Sequence, residues 1–190
     1  MKEKEKILKT LIIELTGLNL EKLPPLPTET PIKALEKYLE ALSNETSKCL
    51  AIPIPKPNLI IRPSVKLFNP KRKEYIGAAY EPETQTIYLY IEPDIDTNIY
   101  KLHHEYAHHL QYTYLTTYGY KPEEVTDEYE ESKEIEELIE TNAREIAYHY
   151  LYHITQTNHY KQLEQIMKKL IQHLSHAHNT QTKHQEPYHK

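Results

Sequence analysis

Apolar positions in the first fifty residues recur with the spacing of an α-helix. In residues 1–16 they return every three or four positions, and Gly17 can end that helix. A second periodic segment begins at Pro31, a residue favoured in the first turn of a helix, and continues to about residue 48. Four prolines within residues 23–31 exclude regular structure between the two. We therefore predict an N-terminal helical segment over residues 1–50.

The pattern becomes typical of strands from residue 58 onwards. The stretch NLIIRPSVKLF has strand composition, and its proline, Pro63, favours a sheet edge or a bulge. Two further strands are predicted at about 75–80 and 86–91, joined by a turn at 81–84. In the second of these, aliphatic residues alternate with tyrosines, so one face is aliphatic and the other is aromatic.

Helical periodicity returns near residue 96 and continues almost to the end of the chain. Strands followed by helices predict an α+β domain over residues 51–176. Residues 177–190 are polar and aperiodic, so we expect a disordered His-rich tail. The predicted helices extend from Asp96 or Thr97 to about Thr116, from about Glu128 or Ser132 to Thr155, and from a cap at Asn158 towards residue 176.

Charge and cysteine content narrow the class of protein. The formal net charge is −5, whereas nucleic-acid binding usually requires a basic face. Cys49 is the only cysteine, which excludes an intramolecular disulfide bond. Glu14 interrupts the N-terminal apolar run, and no stretch has the length of a membrane span. We expect a soluble, cytoplasmic protein that binds neither nucleic acid nor membranes.

The chemistry of the chain is concentrated in LHHEYAHHLQ, residues 102–111. Residues four apart on a helix lie about 40° apart in projection, so His104 and His108 can bind one metal ion. Glu105 is displaced from that line but can contact a water on the ion, as a general base must. His103 and His109 point elsewhere, and we interpret both as structural. The alternative is a solvated helix with a chance pair of histidines.

A catalytic zinc site normally has a third protein ligand in addition to water. The metzincin class would place Gly at position 111 and His at position 114, but the chain has Gln111 and Tyr114, which excludes that class. On the second long helix, Glu140 shares a stripe with Ala143 and Ala147, whose small side chains would allow two helices to approach closely. The weaker candidates for this ligand are Glu136 and Glu137, one turn earlier, and His149, on the opposite side.

HEYAHHLQ together with the later ETNA resembles the gluzincin-type zinc metallopeptidases, whose pattern is H-E-x-x-H followed by E-x-x-A on a later helix. The ending HHLQ is similar to a bacterial subset that reads H-E-x-x-H-H-x-Q. The upstream stretch AAYEPETQTIYLYI resembles a strand pair of minimal zincins. The resemblance covers residues 75–151 and does not extend to residues 1–50. Arg144 stands where such families often have an Asp that orients a ligand histidine.

The resemblance implies a zincin-like α+β fold, in which a small mixed or antiparallel sheet packs on the active-site helix and on a second, ligand-bearing helix. It also implies Zn²⁺ as cofactor, with His104, His108 and Glu140 as ligands and Glu105 as the base that takes a proton from water. The expected partner is a peptide or protein substrate, paired with an edge strand at 86–91 as in zincins.

Several roles stay open at the level of sequence. Tyr148 is one of many tyrosines that can stabilise an oxyanion, and Cys49 can cap the zinc as a thiolate in a latent form. The alternative function is a catalytically weak zincin-fold module that binds a metal or a partner protein. Glu105 favours the enzyme, because a scaffold needs no base, whereas Arg144 favours the module.

Overall fold

The computed structural model describes residues 2–27, 30–63, 67–69, 74–121 and 132–182. Within these residues the chain has an α+β fold, as predicted, with five helices and five short strands. The helices are α1 (Lys2–Leu15), α2 (Pro31–Leu50), α3 (Ile95–Thr117), α4 (Lys133–Thr155) and α5 (Asn158–Thr182). The strands are β1 (Asn58–Pro63), β2 (Leu67–Asn69), β3 (Glu74–Ile76), β4 (Ala78–Glu81) and β5 (Thr86–Ile91).

The main sheet is mixed and has the strand order β1-β5-β4. Strand β5 pairs in parallel with β1 and antiparallel with β4. The prediction that residues 86–91 form an edge strand is therefore wrong, because β1 covers the side of β5 that a lone hairpin would leave open. Strands β1 and β4 are the outer strands of this sheet, and Pro63 lies at the end of one of them, in agreement with the sequence.

The predicted strand at 75–80 is divided into two strands that belong to different sheets. Strand β3 pairs with β2, and β4 pairs with β5, with Gly77 between β3 and β4. A Cβ atom at Gly77 would overlap the side chain of Lys101, which forms an ion pair with Glu92. The end of a lysine side chain from α3 thus occupies the space beside this bend, and any larger residue here would have to displace it.

One hydrophobic core joins the N-terminal helices to the rest of the chain. The aliphatic face of β5 is buried against it, as the alternation predicted. Leucines of α1 and α2 are buried in the same core, so the predicted boundary at residue 50 separates two segments that pack together. Representative members from both segments are Leu8, Leu11, Leu35, Leu39, Ile87, Leu89, Leu102, Ile146 and Leu163.

Two helix ends differ from the sequence prediction. Helix α3 is capped by Asp94, whose side chain accepts a hydrogen bond from the Thr97 backbone N–H at 2.7 Å, so the predicted cap at Asp96 or Thr97 is wrong. The last helix extends to Thr182, past the predicted limit at 176. Residues 183–190 lie outside the described residues, so disorder there stays a prediction. None of the described helices combines the length and the apolar character needed to cross a bilayer.

His103 is fully buried and connects α3 to α2. Its Nδ1–H donates to the backbone oxygen of Ile99 at 2.7 Å. Its Nε2 lies 2.7 Å from the hydroxyl of Tyr38 and accepts from it, because a neutral imidazole has one N–H and the carbonyl oxygen takes it. Both ring nitrogens are therefore satisfied within the core, and the prediction of a structural histidine is confirmed.

His109 is also buried, and it connects α3 to the sheet and to the segment before β1. Its Nε2–H donates to the backbone oxygen of Pro55 at 2.8 Å. Its Nδ1 accepts from the hydroxyl of Tyr80, on β4, at 3.0 Å. This ring too has no nitrogen left for a metal, which confirms its structural role.

Acidification should destabilise the protein through His103 and His109. Burial lowers the pKa of each ring from 6.5 to about 4. Between these values the unfolded chain binds a proton at each histidine that the folded chain excludes. Each ring should therefore reduce the free energy of unfolding by about 1.4 kcal/mol for every pH unit below 6.5, until its folded pKa is reached.

Urea unfolding at a series of pH values measures this effect. His109→Gln should remove one ring's share of the slope, and the difference from the parent separates this ring from other titrating groups. Equal slopes for the parent and His109→Gln would contradict the prediction.

Candidate metal centre

Helices α3 and α4 bring the three predicted ligands together. The Nε2 atoms of His104 and His108 are 3.2 Å apart. Glu140 places Oε2 at 3.2 Å from His104 Nε2 and Oε1 at 3.8 Å from His108 Nε2. One donor atom from each residue lies within 4.8 Å of the other two, and the group can hold a metal ion. The three residues predicted as ligands therefore form one cluster.

The spacing of these donor atoms suits a tetrahedral ion. Ligand atoms bound at 2.0–2.1 Å to such an ion lie about 3.3 Å from one another. The Nε2–Nε2 separation of 3.2 Å is close to that value, and each imidazole has one of the two Glu140 oxygens within 3.8 Å. Two imidazole nitrogens and a carboxylate oxygen are typical zinc ligands, although imidazole also suits copper, iron and nickel. The donor set thus fits a divalent metal without fixing its identity.

Small side chains allow the two helices to approach. Ala143 and Ala147 of α4 and Ala107 of α3 are fully buried. This agrees with the expectation that the alanine stripe after Glu140 faces the His-bearing helix. A larger side chain at these positions would separate the helices and move the carboxylate away from the imidazoles.

Glu105 is buried, with 7% of its surface exposed, beside the ligand histidines. It lies one helical turn from Lys101 and one turn from His109. Lys101 approaches Gly77 and His109 is hydrogen-bonded to Tyr80, so this side of α3 faces β4. Glu105 therefore occupies the strip of α3 between the metal ligands and the outer strand of the sheet.

The orientation of His108 depends on a residue that the sequence analysis did not assign to the site. Its Nδ1 lies 2.9 Å from Oε1 of Gln111, one turn further along α3. Gln111 is buried and also bonds to α4, at the backbone oxygen of Ile139 and at Asn142. The only signal in the sequence is the Gln at the end of HEYAHHLQ, three residues after His108.

His104 has a different environment. Its Nδ1 is the one buried side-chain nitrogen or oxygen without a hydrogen-bond partner among the described residues. Arg144, which directly follows the buried Ala143, is exposed. Tyr100 stacks on the His104 ring, with centroids 5.7 Å apart and planes 23° apart. This half-buried ring therefore covers one of the candidate metal ligands.

A second tyrosine extends this stack to solvent. Tyr148 of α4 is 61% exposed, and its ring lies 5.6 Å from that of Tyr100. Burial raises the pKa of Tyr100, Tyr148 raises it further and Arg144 opposes the increase. Two phenols and a guanidinium therefore lie near the open side of the cluster, and an oxyanion-stabilising role for Tyr148 stays a prediction.

The weaker ligand candidates lie elsewhere. Glu137 is exposed and lines a surface depression with Glu5 and Glu134. His149 donates from Nε2 to the backbone oxygen of Leu15 at 2.7 Å, which occupies that nitrogen. Glu136 lies in the first turn of α4, and the metal-binding group found among the described residues does not include it.

Cys49 does not have the surroundings of a zinc-capping thiolate. Its thiol donates to the backbone oxygen of Glu14 at 3.3 Å. Burial and the nearby Glu14 raise its pKa, which favours the neutral thiol over the thiolate that binds metals. The side chain of this α2 residue therefore packs against the end of α1.

Comparison of the chain with protein-family models, curated proteins and solved structures gives no match in any of the three. The zincin-like interpretation therefore depends on the motif and on the geometry of the donor atoms.

Zinc should bind to this cluster with one ion per chain. His104→Ala removes one of three ligands and should weaken zinc binding by more than the roughly 10- to 100-fold that follows from removing a group hydrogen-bonded to a ligand. Competition with a chromophoric chelator, on protein purified without a histidine tag, measures the affinity.

His153→Ala is a matched control. His149 and His153 are also four residues apart on a helix, with ring centroids 4.6 Å apart, but they are not part of the group that can hold a metal. This variant should retain the parent's zinc affinity. A loss of affinity in His153→Ala equal to that in His104→Ala would place the metal elsewhere.

Proposed function

We propose that the chain is a zinc-dependent metallopeptidase of the gluzincin type. The observation that carries the proposal is the convergence of His104, His108 and Glu140, next to the buried carboxylate of Glu105. The resemblance of HEYAHHLQ and ETNA to that class supports the same function. The proposed substrate is a peptide or protein, and the fold around the site is proposed to be zincin-like.

The residues of the chain have separate tasks in this reaction. When bound, zinc supplies a Lewis acid that polarises the peptide carbonyl and lowers the pKa of a water molecule. Glu105 accepts a proton from that water as the water oxygen attacks the carbonyl carbon. Glu105 then delivers the proton to the leaving amine as the C–N bond breaks. Burial of Glu105 beside α3 and β4 limits the competing contact of its carboxylate with solvent.

The outer strand β4 is the proposed binding edge for an extended substrate. Tyr90 N–H donates to Gly77 O at 3.2 Å, which makes these two a hydrogen-bonded pair of the antiparallel ladder. Because such pairs alternate, Ala79 and Tyr88 form the next one. The backbone groups of Ala78 and Tyr80 therefore point away from β5, towards the outside of the sheet, where a peptide can add as a further strand.

A metal-binding or protein-interaction module without turnover is the second candidate function. The observation that favours it is the unpartnered Nδ1 of His104, together with Arg144 in place of an orienting carboxylate. A ligand that lacks such a partner binds its metal less firmly. The two functions differ in whether Glu105 matters.

Replacing Glu105 by Gln should abolish peptide hydrolysis and leave zinc bound. The amide has nearly the same shape but cannot accept the proton from water, so we expect a loss in kcat of at least about 100-fold. Cleavage of a quenched fluorescent casein and zinc content are measured on the same samples. Glu145→Gln, an exposed change on α4, is the control and should behave like the parent. Equal cleavage by Glu105→Gln and the parent would contradict the enzymatic function.

Ala78→Pro should impair substrate binding without unfolding the protein. Proline removes an N–H that faces outwards, a position where outer strands tolerate it. We expect kcat/KM for a long peptide to fall by about 10-fold or more, with little change in Tm. Ala79→Pro is the comparison, because it removes an N–H that is bonded to β5 and should lower Tm. Unchanged kcat/KM in Ala78→Pro would exclude β4 as the binding edge.

A further inference from the structure

We propose that Gln111 is a positioning residue that fixes the tautomer of His108, with the hydrogen on Nδ1 and the lone pair of Nε2 directed at the metal cluster. The proposal rests on the metal centre described above and concerns how one ligand is prepared for it. It also assigns a role to the N-terminal helix α1, which supports Gln111 through Asn142.

Backbone carbonyls determine which way the Gln111 side chain points. Its Nε2 donates to the backbone oxygen of Ile139 at 2.8 Å and to Oδ1 of Asn142 at 2.7 Å. A carbonyl oxygen can only accept, so the amide nitrogen of Gln111 must face α4. The amide oxygen is thereby directed to the opposite side, towards His108.

A backbone carbonyl also determines the orientation of the Asn142 side chain. Its Nδ2 donates to the backbone oxygen of Leu8 on α1 at 3.0 Å, so its Oδ1 faces Gln111. Both amides are buried. Two backbone carbonyls, Leu8 O on α1 and Ile139 O on α4, therefore set the donor and the acceptor in each hydrogen bond between Asn142, Gln111 and His108.

The consequence for His108 follows from proton counting. Gln111 Oε1 lies 2.9 Å from His108 Nδ1 and can only accept, so Nδ1 must carry the hydrogen. A neutral imidazole has one N–H, which leaves a lone pair on Nε2. That atom lies 3.2 Å from His104 Nε2 and 3.8 Å from Glu140 Oε1. The lone pair needed by a metal is thus held in the cluster before any metal arrives.

The same chain of hydrogen bonds makes α1 a support of the metal centre. It begins at Leu8 O on α1, passes through Asn142 on α4 and Gln111 on α3, and ends at a ligand. His104 has no comparable partner on its Nδ1. His108 is therefore the prepared ligand of the pair, and the support comes from a part of the chain that the sequence resemblance does not include.

Long-range proton–nitrogen NMR spectra of the metal-free protein report the tautomer of His108 directly. We expect Nδ1–H in the parent. Gln111→Leu removes the acceptor, so His108 should become a mixture of tautomers. The zinc affinity of this variant should be about 10- to 100-fold lower than that of the parent.

Asn98→Ala is the control for a purely structural effect. Asn98 is a buried amide on the same helix that bonds to the backbone N–H and oxygen of Glu92, away from His108. Its loss should reduce stability and leave the tautomer of His108 unchanged. An Nε2–H tautomer in the parent, or an unchanged Nδ1–H tautomer in Gln111→Leu, overturns the proposal.

The tautomer is measured without metal, so the proposal for Gln111 and the proposed metallopeptidase function can fail separately. A parent that has the Nδ1–H form and binds no zinc would support the fixed tautomer of His108 and contradict the proposed metallopeptidase. A parent that binds zinc at His104 but has the Nε2–H form in the metal-free state would do the reverse.

Discussion

A buried imidazole needs a partner for its N–H, and helix α3 carries three buried rings, at His103, His108 and His109, and a partly buried one at His104. The structure resolves this demand in two ways. His103 and His109 use both nitrogens on backbone oxygens and tyrosine hydroxyls. The Nδ1 atom of His108 contacts Gln111, and the Nε2 atoms of both His108 and His104 face Glu140. Which rings are structural and which can bind a metal is thus decided by where partners are placed.

The unusual aromatic composition is part of the same solution. The chain has 17 tyrosines, one phenylalanine and no tryptophan, and the buried phenyl or phenol rings of the described residues all belong to tyrosines, so each brings a hydroxyl into the core. Tyr38 and Tyr80 use theirs on the structural histidines, and Tyr150 pairs with Thr46 at 2.8 Å. These hydrogen bonds specify which side chains pack against one another, since each buried hydroxyl must meet a particular partner. The ligand-bearing face of α3 is held in place by the opposite, structural face.

The sequence was sufficient for features that depend on local spacing. The pair His104 and His108, the alanine stripe after Glu140 and the aliphatic face of β5 all follow from helix or strand periodicity. Features that depend on distant partners were missed. The parallel pairing of β1 with β5 moves β5 to the sheet centre, and local alternation carries no trace of it. The support of His108 by Gln111 needs Asn142 and Leu8, residues from two other helices.

The most direct test of the account is anomalous X-ray diffraction from crystals of the zinc-loaded protein, which locates the metal without reference to activity. The account predicts one strong zinc peak, about 2.0–2.2 Å from Nε2 of His104, Nε2 of His108 and a carboxylate oxygen of Glu140. A peak at other histidines, or a zinc ion bound to the two imidazoles with Glu140 turned away, would contradict it.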